Sequence, residues 1–306
     1  MKQLSEGRKM FISVMAVFII YAAVFIIFED YDRRFFSPFA SNIDWHLLWF
    51  SLLVMVVLGV LLLRYSHRMD ERISREQAER QNQMRRQLTQ NIAHELKTPV
   101  ASILGYTETI LDNPDIPQEV KQQFVERTHA QAKRLTALLQ DISTLNRMDY
   151  APDMVEMERI DVARIVYDIE RETSLSFTRH GMTLDNHLPH GIFIRGNASL
   201  VYSIFRNLVE NALNYAGEGT TLSIGGTEQK SHWAFTVSDN GAGTSAEHLP
   251  RLFERFYRVD KGRSRSMGGT GLGLAIVKNA VLMHGGAISV SLNDGGGLRF
   301  DFTLMK

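Results

Sequence analysis

The sequence predicts a chain in three parts: two transmembrane helices, an all-α helical hairpin, and an α+β two-layer sandwich. Three observations predict it. Met10–Phe28 and Trp45–Leu63 are apolar almost throughout, and each is close to the roughly 20 residues a helix needs to cross a bilayer. From Gln87 to Met148, apolar residues recur at helical spacing on both sides of a breaker cluster, Asp112–Pro117, which reads as two helices and a short loop. After Tyr150-Ala151-Pro152 the pattern changes to short alternating runs mixed with helical ones, as in a sheet covered by helices.

The 306 residues carry no net charge and no cysteine. Balanced charge gives no pointer to nucleic acid as a partner. The lack of cysteine excludes disulfides, thiolate metal sites and a cysteine nucleophile.

Lys2, Arg8 and Lys9 precede the first apolar stretch, and Arg64, Arg68, Arg72 and Arg75 follow the second. The excess of basic residues at both ends predicts that both are cytoplasmic. The expected order is a cytoplasmic N-terminus over 1–9, spans over 10–28 and 45–63, an extracytoplasmic loop over 29–44, and a helical linker over 64–85. A hairpin domain over 86–149 and a sandwich domain over 150–306 follow. The loop is too short to fold as a domain, so any sensing is expected in or at the membrane, or through a partner. The linker is rich in Arg, Glu and Gln and lacks Pro and Gly, which favours a continuous helix.

In the hairpin, the first helix is expected to end near Leu111 and the second to run from about Pro117 to Met148. Val120, Phe124, Leu135, Leu138, Leu139, Ile142 and Leu145 form the apolar stripe of the second helix. One hairpin buries only one face of each helix. Two hairpins from two subunits would complete a four-helix bundle, which predicts a homodimer.

His94 stands in the first helix within Asn91-Ile92-Ala93-His94-Glu95-Leu96-Lys97-Thr98-Pro99. It lies beside the apolar row of Leu88, Ile92, Leu96, Val100 and Ile103, so its imidazole is expected to be reachable. A neutral imidazole is a nucleophile near neutral pH, and an adjacent carboxylate can hold its other ring N–H. Thr98 lies one turn along the same face, where a hydroxyl could position a water. Pro99 removes one helical N–H and predicts a local kink.

The sandwich is expected to hold strands at Met182–Leu188, Gly191–Arg195, Thr221–Gly225, Ala234–Ser238, Ala287–Leu292 and Leu298–Leu304. Helices are expected at Val162–Leu175, Ser199–Tyr215 and Gly271–His284. Four local signals fall here in order. Asn207 and Asn211 are four apart on a helix, and their amide oxygens suit Mg²⁺ that carries phosphates. Asp239-Asn240-Gly241-Ala242-Gly243 follows a strand; a carboxylate there can accept from an exocyclic amine such as adenine's, and the glycines admit a ring. Phe253–Arg258 supplies aromatics that could anchor a lid. Gly268-Gly269-Thr270-Gly271-Leu272-Gly273 leads into a helix, whose N-terminal N–H groups can face phosphate. It lacks the strand-loop-helix order of a Rossmann site. Between the glycine groups, Ala242–Gly269 is long for a structureless loop, which suggests a functional lid. Taken singly, each signal is an ordinary cap, turn, satellite core or helix start; their order is what is specific.

In this order, downstream of a histidine hairpin and a membrane anchor, the motifs resemble those of the membrane-bound sensor histidine kinases of two-component systems, over about residues 80–306. The resemblance implies a dimerisation and phosphoacceptor hairpin, followed by an ATP-binding domain of the kind shared with gyrase-type and Hsp90-type ATPases. It implies that His94 takes the γ-phosphoryl group of ATP, that Glu95 orients it and accepts its proton, and that Thr98 serves a reverse phosphatase reaction. Asn207 and Asn211 would hold Mg²⁺. The nucleotide would lie among Asn207, Asn211, Asn214, Tyr215, Asp239, Gly241, Gly243, Gly269, Thr270, Gly271, Leu272 and Gly273, with Asp239 reading adenine. ATPases of the wider group carry Glu four residues before the metal-binding Asn. Here that position is Asn207, a poor base, which suits an enzyme that must not spend the phosphoryl group on water. Glu210 is expected to point elsewhere on the helix. Asn214 stands where many members have a basic residue. The implied partners are a second copy, membrane lipid and the receiver domain of a separate response regulator. The implied location is the bacterial inner membrane, multi-pass, with the catalytic part in the cytoplasm.

Overall fold

The structure, a computed structural model, describes residues 12, 15, 16, 19, 22, 23, 26, 45–150, 155–259, 269–293 and 296–306. It divides into two compact units, Met1–Gln87 and Leu88–Lys306.

In the first unit, helix α1 begins at Trp45 and continues without a break to Asp112. Residues 64–85 are helical throughout. Ser51–Glu76 is long and apolar enough to cross a membrane, and Leu53, Val56, Leu58 and Leu61 along it are exposed. Most of the first predicted span and the whole of the loop over 29–44 lie outside the described residues.

In the second unit, α1 and helix α2, Gln118–Tyr150, form the hairpin. Pro99 lies within α1 and is buried without ending the helix. At the turn, the Asn113 amide donates to the Thr109 carbonyl (2.9 Å) and the Ile116 N–H to the Asn113 carbonyl (3.2 Å); both satisfy groups a helix end leaves open. Glu119 in the first turn of α2 and Arg147 in the last match the helix dipole. Tyr106 and Phe124 stack across the hairpin at 5.6 Å.

The apolar stripe of α2 does not serve one surface, as its spacing had suggested. Leu138, Leu145 and Met148 are buried in the core that runs through the sandwich, and α2 lies against the sandwich helix at Gly273–Met283. Leu139, next to Leu138, is 51% exposed. Val100, Leu104, Leu111 and Val125 are exposed as well. Successive helical residues differ by about 100° in direction, so one apolar row can feed two neighbours.

The sandwich contains β1 (Glu158–Asp161), α3 (Val162–Arg179), β2 (Thr183–Asn186), β3 (Phe193–Gly196), α4 (Ala198–Tyr215), β4 (Thr221–Glu228), β5 (His232–Asp239), α5 (Gly273–Met283), β6 (Ile288–Leu292) and β7 (Leu298–Met305). The main sheet has the order β2-β4-β5-β7-β6. Its pairs are antiparallel except β2 with β4. The predicted strand at Gly191–Arg195 is β3, but it does not join that sheet. It pairs with β1, which the sequence reading missed, with Ile160 opposite Ile194. A four-residue strand with two outward charges carries too little alternation to be read locally.

Every second residue of β5 is buried, which places Trp233, Phe235 and Val237 under the helices. Phe205 of α4 meets Phe235 and Phe302 edge-on, each at 5.5 Å, and Phe235 stacks on Phe302 at 5.3 Å. Burial of such rings contributes about 2–3 kcal/mol each. This aromatic layer fixes α4, the helix that carries Asn207 and Asn211. Its start is set by Asn197, whose side chain accepts from the Leu200 N–H at 3.1 Å. α3 is capped in the same way by Asp161, which accepts from Ala163 and Arg164.

Candidate active site

A cavity of about 660 Å³ opens between α4, the glycine-rich segment before α5, the aromatic segment at Leu252–Val259, and α2. Asn207, Asn211, Asn214 and Tyr215 line it from α4. Gly243, Gly269, Thr270, Gly271 and Gly273 line it from the loops. Ala137 and Asp141 close it from the hairpin. Most of the residues predicted to form a nucleotide site therefore line this one cavity.

Three of them do not. Asp239, Gly241 and Leu272 are not among the residues that line it. Asp239 is 5% exposed. Its carboxylate accepts from the N–H groups of Gly241 (2.9 Å) and Leu298 (3.3 Å), and burial raises its pKa above the ordinary 3.8 despite those bonds. Leu272 is fully buried, and its N–H donates to the Thr270 hydroxyl (3.2 Å).

The glycines have local reasons. A side chain at Gly241 would overlap the Ala216 backbone, and one at Gly273 would meet the Asn207 amide oxygen. Gly271 adopts φ +72°, a conformation L side chains avoid. Its carbonyl accepts from the N–H of Phe256 (2.7 Å), a non-glycine residue at φ +62°. That bond ties the aromatic segment to the glycine-rich one at the cavity mouth. α5 begins with no side-chain cap, so its first N–H groups are available to an anion.

The electrostatics differ from expectation at Glu210. It was expected to point away, yet it lines the cavity. Arg206 takes its carboxylate at 2.7 Å, so an ion pair one helical turn long brings it round. Asn207 donates to the Ser203 carbonyl at 2.7 Å, which fixes its amide and leaves its oxygen as the acceptor. Among the described residues, no group of three acidic, His or Cys side chains could hold a metal alone. The neutral oxygens of Asn207 and Asn211 fit a metal ion whose charge is met by phosphates instead.

His94 is exposed on α1. Thr98, one turn on, donates its hydroxyl to the His94 carbonyl at 3.3 Å. Glu95 does not bond His94 here. Its Oε2 is taken by Arg258 at 3.0 Å and Arg134 at 3.5 Å. Arg258 is 6% exposed, also donates to the Gly269 carbonyl (2.7 Å), and lines the cavity. Arg255 pairs with Asp149 of α2 at 2.8 Å. Arg258 lies in the Phe253–Arg258 motif, where spacing alone gives it no role, and neither Arg134 nor Asp141 stands in a motif. Arg134 is 39 residues from its partner, so no local spacing could reveal it.

Two parts of the chain match known domain families. Residues 84–151 match the His Kinase A (phospho-acceptor) domain. Residues 196–306 match the histidine kinase-, DNA gyrase B- and HSP90-like ATPase family. The chain is 34% identical over 220 residues to the sensor-like histidine kinase SenX3 of Mycolicibacterium smegmatis, covering 72% of this chain and 57% of that protein. It is 32% identical over 222 residues to the phosphate regulon sensor protein PhoR of Haemophilus influenzae, covering 72% of this chain and 52% of PhoR. The chain thus spans about half the length of these curated relatives. Among solved structures, the Acinetobacter baumannii histidine kinase AdeS superposes with a TM-score of 0.57 at 22% identity, over 69% of this chain and 97% of AdeS. ThkA in complex with response regulator protein TrrA superposes at 0.58 and 18% identity, over 72% of this chain and 61% of that one. These two likenesses bear on the fold. With the two domain matches in sequence order and the curated relatives, they place the chain in the sensor histidine kinase family of two-component systems.

Proposed function

We propose that the chain is an ATP-dependent protein-histidine kinase that phosphorylates His94 and passes the phosphoryl group to an aspartate on the receiver domain of a separate response regulator. The observation that carries this is the ion pair between Glu95, next to His94, and Arg258 in the wall of the cavity. It ties the segment that carries His94 to the cavity wall, which supports a reading in which the two work together.

In this reading, one ring nitrogen of His94 attacks the γ-phosphorus. The N–P bond forms as the bond to the β,γ-bridging oxygen breaks, and ADP leaves. The positive charge that develops on the imidazole, and the proton on its other nitrogen, are met by Glu95. Asn207 and Asn211 would hold Mg²⁺, which neutralises charge on the phosphates when bound. The open N-terminus of α5 and Arg258 would add positive potential beside them. Asn207, lacking a basic group, would leave water unactivated. Asp239 would accept from the adenine amine, which requires its carboxylate to be exposed to the base. Tyr215 and Asn214 would line the nucleotide's flank.

Two membrane spans, Met10–Phe28 and Trp45–Leu63, with both ends in the cytoplasm, complete the proposal for a bacterial inner-membrane protein. The exposed apolar surface of Ser51–Glu76 supports the second span. The uncovered side chains of Val100, Leu104 and Leu139 support a homodimer through the hairpin. A phosphatase role is a second reading. It rests on Thr98, whose hydroxyl lies on the exposed face one turn from His94.

The test is full-length protein in lipid with γ-labelled ATP and Mg²⁺. Label that is labile in acid and stable in alkali, and absent from His94→Gln while ATP binding persists, is the expected result. Label surviving in His94→Gln would overturn the site. For the second reading, Thr98→Ala should slow dephosphorylation of the partner; an unchanged rate removes Thr98.

A further inference from the structure

Glu95 is held by two arginines of different origin. Arg134 comes from α2, in the same hairpin, and Arg258 from the ATP-binding domain. Both guanidinium groups approach the same carboxylate oxygen, Oε2, through their Nη2 atoms. The side chains of Arg134, Arg258 and Glu95 are 13%, 6% and 19% exposed, so solvent screens these pairs only in part. Among the described residues, Oε1 has no hydrogen-bond partner. The charged groups in contact with Glu95 are these two arginines, with His94 and Lys97 beside it in α1.

We infer that Arg134 is a positioning residue for the histidine phosphorylation proposed above, a reading on which this inference rests. By holding Oε2 from within the hairpin, Arg134 leaves Oε1 for the ring N–H of His94. Arg258 adds its hold only while the ATP-binding domain sits against the hairpin, as here. Arg134 keeps it wherever that domain lies, because α1 and α2 are joined by the five residues between Asp112 and Gln118. Arg134 thus keeps Glu95 ready to meet the proton of His94 both when His94 receives the phosphoryl group and when His94 gives it up.

The test compares wild type, Arg134→Ala and Arg134→Lys as full-length proteins in lipid nanodiscs. Initial rates of label incorporation are followed against ATP concentration and pH. The reactivity of His94 toward diethyl pyrocarbonate, read by peptide mass spectrometry against pH, is a second measurement that needs no kinase activity. Arg134→Ala is expected to lower the maximal rate about 10-fold, less than the roughly 100-fold or more that a proton-transfer group itself supplies, because Glu95 remains in place. KM for ATP should be unchanged, and both profiles should depart from those of wild type, because the ring N–H of His94 loses its fixed acceptor. Arg134→Lys should restore most of the rate and both profiles. Wild-type rate and profiles in Arg134→Ala would overturn the inference. So would a loss that Arg134→Lys does not repair and that tracks a lower unfolding temperature, since that marks packing support alone. If wild type takes up no label, the kinase reading fails, and the His94 reactivity profile still decides the role of Arg134.

Discussion

The Thr270 hydroxyl donates a 2.7 Å hydrogen bond to Oδ2 of Asp141 while accepting one from the Leu272 N–H. One side chain thus links the start of α5 to the second helix of the hairpin. With Arg258 on Glu95 and Arg255 on Asp149, it makes three polar contacts by which residues flanking the cavity mouth grip the hairpin. Movement of the glycine-rich segment would be felt at all three.

Asp141 gives this contact a pH dependence. Burial, and then the charge of Glu210, raise its pKa above 3.8, against the lowering by the Thr270 bond. A carboxyl with a raised folded pKa binds its proton more tightly when folded. Stability therefore falls as pH rises from the unfolded value through the folded one, and is lowest above it. Asp141→Asn removes that penalty while its amide oxygen still accepts from Thr270. Near neutral pH the variant should unfold about 2–4 °C higher, equivalent to about 1 kcal/mol, and the gap should shrink as the pH is lowered toward 4. Calorimetry of both proteins across that range checks this, and a lower midpoint for the variant at neutral pH would contradict it.

His284 predicts the opposite slope. It is 5% exposed. Its Nδ1 N–H donates to the Ala280 carbonyl (2.7 Å), and its Nε2 accepts from the Asn197 N–H (3.0 Å). Protonation would set N–H against N–H at the cap of α4. The C-terminal end of α5 favours a cation, yet burial lowers the pKa below 6.5. With a lowered histidine pKa, this contribution is complete above the unfolded value and is lost as pH falls from 6.5 toward the folded value. The unfolding midpoint of wild type should fall across that window. His284→Gln should be less stable at neutral pH by about 1–2 kcal/mol but flatter with pH. Equal slopes would remove His284 from the pH response.

Gly273→Ala should separate binding from folding. The new methyl group would meet the Asn207 amide oxygen and force the side chain off its bond to the Ser203 carbonyl. Affinity for ATP is expected to drop about 10-fold, the loss of about 1.4 kcal/mol, with an unchanged circular dichroism spectrum. Titration with a fluorescent nucleotide measures this; wild-type affinity would show that Asn207 needs no fixed orientation.

The uncovered face of the hairpin predicts self-association. Leu104 is 55% exposed and Leu139 51%, more apolar surface than a solvated helix pair has reason to show. Leu104→Glu should shift the detergent-solubilised protein from dimer to monomer in analytical ultracentrifugation, weakening association at least about 100-fold, since a buried unpaired charge costs several kcal/mol. A variant that remains dimeric would place the interface elsewhere.

The parts most legible in the sequence were those written in local periodicity. β5 alternates between buried and half-buried residues, and α4 repeats its buried residues at helical spacing, so both were predicted within a few residues. Glycine positions were legible too, though their causes were not. That Gly241 faces the Ala216 backbone and Gly273 the Asn207 amide depends on segments that meet only in the fold. The strand β1 was missed because four residues with charges at Glu158, Arg159 and Asp161 give no local signal. Its pairing with β3 alone defines it.

By itself, the sequence determined the helical hairpin, the sandwich, the exposed histidine and the asparagine pair. Each depends on spacing along one element, and side-chain direction follows from helical or strand geometry. Only the tertiary structure decided which apolar residues of α2 face the ATP-binding domain, that Glu210 turns into the cavity beside Arg206, and that Asp239 is buried. It alone placed Arg134 and Arg258 on one oxygen of Glu95. Charge pairs across 39 and 163 residues have no period to announce them. They arise because packing of the aromatic layer and of Leu138, Leu145 and Met148 sets where the two domains touch.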